Sequence, residues 1–110
     1  MTNIRIIDFY ADWCVPCKQY DVILPELTEE LGFELEKVNV EFNQDMVDQY
    51  EVQGLPTLVI LDGDSKVGQL EGASSKQVLK DKLKKMLGSK MPGDLTGQQW
   101  EDPPKQKFIK

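Results

Sequence analysis

Ile4, Ile6, Ile7, Phe9 and Tyr10 make residues 4–10 almost continuously apolar, with little alternation. A strand with one face in water alternates polar and apolar positions, whereas a strand covered on both faces does not, so this run is predicted to be central in a sheet. Tyr20, Ile23, Leu24, Leu27 and Leu31 then recur at helical spacing, with Lys18, Glu26, Glu29 and Glu30 on the other side and Gly32 as the stop. Pro25 lies inside this helix without an N–H for the carbonyl of Asp21, and a bend is expected there. Residues 33–40 form a second strand, parallel to the first because the connecting helix makes a right-handed crossover. Residues 44–50 suit a short helix with Met46, Val47 and Tyr50 on one side. Residues 57–61 and 66–71 read as two antiparallel strands about the turn signal Asp62-Gly63. Ser74 or Ser75 caps a last amphipathic helix carrying Val78, Leu79, Leu83, Met86 and Leu87. Its lysines 80, 82, 84 and 85 gather toward the C-terminal end, where the helix dipole favours cations. The order is β-α-β-α-β-β-α, an α/β fold.

From Gly88 onward the pattern stops. Met91-Pro92-Gly93 and Asp102-Pro103-Pro104 break any element, and Leu95, Trp100, Phe108 and Ile109 follow no period. The expected organisation is one domain over residues 1–88 and a tail over 89–110, flexible or locally docked through Trp100. Ordering some twenty residues costs roughly 1–2 kcal/mol each, more than four apolar side chains offset. A chain ending at Gly88 is therefore expected to keep its fold and activity.

Composition narrows the chemistry. A chain of 110 residues, 40% hydrophobic and 29% charged, holds one soluble domain with a modest core. No apolar stretch reaches bilayer length and no signal-peptide pattern opens the chain, so a reducing, cytoplasmic setting without membrane contact is expected. Two cysteines in such a setting point to catalysis or metal before structural bridging. A structural zinc takes four ligands, and two thiols with no histidine fall short of that unless two chains share a site. A net charge of −6 repels phosphate backbones, which argues against nucleic acid as a ligand and leaves the acidic surface a solubilising role.

The two thiols stand in Trp13-Cys14-Val15-Pro16-Cys17-Lys18, at the junction of the first strand with the first helix. Positions i and i+3 of a first helical turn share a face, within the Cα separation a disulfide needs. The first sulfur also meets unpaired N–H groups and the positive end of the helix dipole, which favour its thiolate. Cys14 is thus the nucleophile candidate. Pro16, with φ preset for a helix start, stiffens the loop and keeps Cys17 poised to resolve. The bland alternative is an inert, buried or bridging pair. Asp8 is the other anomaly: an acid in a run that ought to be buried, where an unpaired carboxylate has its pKa raised, unless the strand lies at an edge and Asp8 is solvated.

Residues 8–18, Asp8-Phe9-Tyr10-Ala11-Asp12-Trp13-Cys14-Val15-Pro16-Cys17-Lys18, resemble the active-site strand and helix start of thioredoxins. Gly54-Leu55-Pro56-Thr57 resembles the segment of that fold whose proline is cis, and Glu71-Gly72-Ala73-Ser74 its turn into the final helix. The likeness spans residues 4–87. It implies a thioredoxin fold with a four-stranded mixed sheet in the order 2-1-3-4 and helices on both faces, beginning at the active-site strand and as short as a glutaredoxin. The family's kinking proline falls at Val22, one turn before Pro25. The resemblance implies that Asp8 takes part in proton transfer from Cys17, and that Lys37 matches a lysine near that aspartate and is a candidate partner for it. It implies a cis Leu55–Pro56 bond and a client segment paired with the Leu55 backbone. Trp13 covers one side of that groove, and Val15, Pro16, Gly72 and Ala73 complete the substrate-binding set. The implied activity is reduction of protein disulfides as an electron donor to cellular enzymes, by a monomer with no bound cofactor. Electrons are expected from NADPH through a thioredoxin reductase, with ribonucleotide reductase among the candidate clients.

Two other functions compete. A glutathione-linked glutaredoxin fits the short fold, but Trp13, Val15-Pro16 and Gly72-Ala73-Ser74-Ser75, in place of an acidic glutathione-binding turn, oppose it. A redox-independent binding module would use the surface around Trp13 and Pro56, and retention of both thiols speaks against that as the sole role. The absence of histidine between the cysteines argues for the reducing end of the family's range.

Overall fold

The computed structural model describes residues 3–88; the expectation for a flexible or docked tail at 89–110 lies outside the described residues. Four strands and three helices follow in the order β1 (Ile4–Tyr10), α1 (Val15–Leu31), β2 (Glu34–Asn39), α2 (Gln44–Gln49), β3 (Thr57–Asp62), β4 (Ser65–Glu71) and α3 (Lys76–Leu87). The sheet runs β2-β1-β3-β4, as the family resemblance implies. β1 pairs parallel with β2 and antiparallel with β3, and β3 pairs antiparallel with β4 through a register shift at Ile60/Leu61.

β1 is central, and alternate residues along it feed two cores, which is why its sequence does not alternate. Ile4 and Ile6 pack with Tyr20, Leu24 and Leu27 of α1 and with Leu79 and Leu83 of α3. Ile7 and Phe9 face the other way, with Val38, Val59 and Leu61, under Met46, Val47 and Tyr50. Each fully buried leucine on the α1 and α3 side contributes about 1.5–3 kcal/mol.

α1 continues through Pro25 and stops at Gly32, whose φ of 81° suits glycine and whose N–H bonds the Thr28 carbonyl. Of the two serines proposed to cap α3, Ser75 does so, its hydroxyl accepting from the Val78 N–H at 3.3 Å. Val78 itself is 46% exposed and does not belong to the buried stripe. Leu79, Leu83 and Leu87 recur every fourth residue, and Val78, one position earlier, is rotated off that line. β2 ends at Asn39, earlier than the apolar pattern suggests: Val40–Phe42 form a 3-10 turn whose start is capped by the Asn39 side chain, which accepts from the Glu41 N–H. As an edge strand β2 also exposes Glu34, Glu36 and Lys37 rather than apolar side chains.

Candidate redox site

The C-terminal end of β1 delivers the chain through Ala11 to Trp13 into the first turn of α1, where Cys14 is the N-cap residue and Pro16 occupies the opening turn. Cys14 and Cys17 are joined by a disulfide with a Cα separation of 5.3 Å. The Cys17 N–H donates to Cys14 Sγ at 3.2 Å, the position an oxygen occupies in an ordinary N-cap. Thus Cys14 Sγ sits at the positive end of a seventeen-residue helix. Both sulfur-bearing residues are buried against Ala11, Tyr10, Val40 and Leu55, while Val15 and Pro16 between them are exposed.

Asp8 is 1% exposed, so the edge-strand alternative for it is overturned. Its side chain shares the α1 face of the sheet with Ile4 and Ile6. Burial pushes its carboxyl up to about 6, opposed by the Lys37 charge and reinforced by that of Asp21. Neither Asp8 oxygen meets a hydrogen-bond donor among the described residues. Lys37 does not form the expected pair with Asp8. It is Asp8's register neighbour on β2, but its Nζ lies 2.6 Å from Asp21 Oδ1 and 4.5 Å from the Tyr10 ring centre. Asp21 is half-exposed, so the ammonium keeps part of its hydration there, which a position beside Asp8 would strip away.

The rim of the site comes from three other segments. The Leu55–Pro56 bond is cis, and Leu55 touches the cysteine cluster. Gly54 passes so close to Glu71 that a Cβ there would meet its carboxylate at 2.5 Å. The Gly72 N–H bonds the Pro56 carbonyl at 2.8 Å, which brings the turn Gly72-Ala73 beside Pro56. Trp13, 66% exposed, donates its indole N–H to Glu41 Oε2 at 2.9 Å. It forms one wall of an open cleft of about 230 Å³ whose other walls include Val40, Val47, Gly54 and Leu55. Phe42 stands 78% exposed nearby in sequence.

Three contributors escaped the sequence reading. Tyr20 reads as one more core residue at helical spacing, yet its hydroxyl donates to the Gly72 carbonyl and accepts from the Ser74 N–H, stapling the 72–74 turn to α1. The side chains of Asp21 and Glu41 stand out by no pattern in the sequence, and their partners, Lys37 and Trp13, are sixteen and twenty-eight residues away. No local signal in the chain marks either pair. Among the described residues no group of three or more His, Cys, Asp or Glu side chains is arranged to hold a metal, and no helix is long and apolar enough to cross a membrane.

Known proteins share this arrangement. The family model described as Thioredoxin matches residues 1–85. The thioredoxin of Bacillus subtilis (strain 168) is 36% identical over 87 residues, 77% of this chain and 84% of that protein. Thioredoxin 1 of Nostoc sp. is 33% identical over 84 residues, 74% of this chain and 78% of its own. Among solved structures, a mutant thioredoxin from Halobacterium salinarum NRC-1 superposes with a TM-score of 0.71 at 32% identity, covering 76% of this chain and 74% of that one. With a redox pair at a helix start, a family model matched over most of its length and relatives above 30% identity, the chain belongs to the thioredoxin family.

Proposed function

We propose that this thiol-disulfide oxidoreductase reduces protein disulfides through Cys14 as the attacking sulfur, Cys17 as the resolving one and Asp8 as the acceptor of the Cys17 proton. In the dithiol form, Cys14 thiolate attacks one sulfur of a client disulfide, forming a Cys14–client disulfide and releasing the other client sulfur as a thiolate that takes up a proton. Asp8 carboxylate accepts the Cys17 proton. The resulting thiolate attacks Cys14 Sγ, forming the Cys14–Cys17 disulfide and expelling the second client thiolate. Two electrons pass to the client. The observation that carries this reading is the Cys14 sulfur at the N-cap of α1, receiving the Cys17 N–H, with a buried carboxyl on the strand behind.

Clients are read as extended segments laid against Leu55 and flanked by Trp13, Val15, Pro16, Pro56, Gly72 and Ala73. The exposed apolar side chains of Trp13 and Val15 support this. The electron source is proposed to be NADPH through a thioredoxin reductase, in the cytoplasm, with ribonucleotide reductase as one client and the monomer as the working unit. Reduction of insulin with an NADPH-linked thioredoxin reductase, run beside a glutathione-driven arm, tests the pathway. Turnover is expected in the first arm, and turnover confined to the glutathione arm would overturn it. Alkylation of the reduced protein at neutral pH is expected to label Cys14 first; preferential labelling of Cys17 reverses the assignment.

A further inference from the structure

Asp8 and Lys37 are register partners on adjacent parallel strands, so their side chains leave the same face of the sheet with Cβ atoms about 5 Å apart. A lysine stem spans that gap easily. The carboxyl is nevertheless left without a hydrogen bond among the described residues, while the ammonium is held at Asp21 Oδ1, 2.6 Å away, and over the Tyr10 ring. Asp21 occupies α1 one turn beyond Cys17, the proton donor of the proposed reaction.

We propose that Asp21 is a positioning residue of the redox site: by holding the Lys37 ammonium at the protein surface, it leaves the buried Asp8 carboxyl without a salt-bridge partner. This rests on reading Asp8 as the acceptor of the Cys17 proton and explains how that acceptor is kept fit for its task. A carboxylate paired with an ammonium is a weak base, because the pair stabilises the charged form. One that is buried and unpaired binds a proton near neutral pH, where taking one from a thiol costs least. Asp21 acts twice in the same direction, by occupying the only cation set beside Asp8 in the β1–β2 register and by adding its own negative charge.

Among the described residues, few other titratable groups act on Asp8. From β2 there is Lys37; from α1 there are Asp21 and Tyr20, whose hydroxyl is engaged with Gly72 and Ser74. From β3 the register partner is Leu58, and α3 presents Leu79 and Leu83 to the same core. Lys37 and Asp21 are both about half-exposed, so either can be replaced without opening the core.

The test follows the Asp8 carboxyl by carbon NMR through a pH titration of the full-length disulfide form. Four proteins are compared: the parent, Asp21→Asn, Lys37→Met and the double variant. Asp21→Asn is expected to lower the Asp8 midpoint by about one pH unit, because Lys37 is freed to turn inward, and Lys37→Met to raise it. In the Lys37→Met background the Asp21→Asn effect should shrink by more than half. The acid limb of mixed-disulfide resolution should move with the midpoint. An unchanged midpoint in Asp21→Asn, or an equal change with and without Lys37, would overturn the proposal and reduce Asp21 to a distant charge. The reading of Asp8 as acceptor fails separately, if Asp8→Asn resolves its mixed disulfide at the parent rate, because the NMR midpoint does not depend on turnover.

Discussion

The two faces of the sheet are built to different standards. On the α1 and α3 side, two helices of seventeen and twelve residues press a continuous set of fully buried side chains against Ile4, Ile6, Leu58 and Ile60. On the other side a 3-10 turn and the six-residue α2 cover Ile7, Phe9 and Val59 with half-buried side chains, and a cleft opens beside Trp13. The dense side holds the single fully buried carboxyl of β1, and the thin side offers apolar surface. A group whose proton affinity depends on exclusion of water needs rigid packing, whereas a surface that must receive varied client segments needs room to adapt.

The largest effect expected is on the corner that joins the two faces. Cys14→Ser should abolish disulfide reduction, and Cys17→Ser should trap a mixed disulfide on Cys14, both read by non-reducing mass spectrometry. Next in size is packing. Leu27→Ala, on the dense side, should cost about 2–5 kcal/mol in urea unfolding. Val47→Ala, on the thin side, should cost about 1 kcal/mol. Equal losses at the two sites would break the comparison.

Asp8→Asn sharpens it from the electrostatic side. The folded-state pKa of about 6 lies above the ordinary 3.8, so the folded protein binds this proton more tightly than the unfolded chain. Stability associated with neutral Asp8 is complete below about pH 4 and is lost as pH rises through 6. Removing the ionisable group should therefore stabilise the protein at pH 7 by up to about 3 kcal/mol, leave it unchanged near pH 3.5, and slow resolution of the mixed disulfide. Equal urea midpoints for the two proteins at pH 7 would count against burial as the cause of the shift.

The smallest effect concerns the end of α2, where Glu51 adopts a φ of 52° in the left-handed region while its N–H bonds the Asp48 carbonyl. Glu51→Gly relieves that conformation and gives back part of the gain through the unfolded chain, for a net stabilisation of about 0.5 kcal/mol. Thermal melting of the variant measures it, and a drop in Tm would refute the assignment of strain.

The dense side was the more legible in sequence. The leucine spacing of α1, the Gly32 stop and the unbroken apolar run of β1 each depend on residues close in the chain, and together they place Asp8 in the interior. The redox pair was legible for the same reason, since its chemistry needs only two thiols three positions apart. The Lys37 partner was not. Choosing between Asp8 and Asp21 depends on how far an ammonium is stripped of water in each position, which is a property of the packed structure. Val78 was misplaced because a short helix with two adjacent apolar residues admits two stripe positions, and α1 settles which one is buried.

The charges along β2 have a consequence beyond solubility. A protein that recognises unfolded or extended client segments presents backbone to strangers, and any open sheet edge is a competing place for such a segment to add as a strand. Glu34, Glu36 and Lys37 make the β2 edge a poor template for an apolar strand. If clients lie against Leu55 as proposed, the charged rim steers their capture away from the outer edge of the sheet and toward that groove, so that binding a client and reducing it would occur at one address.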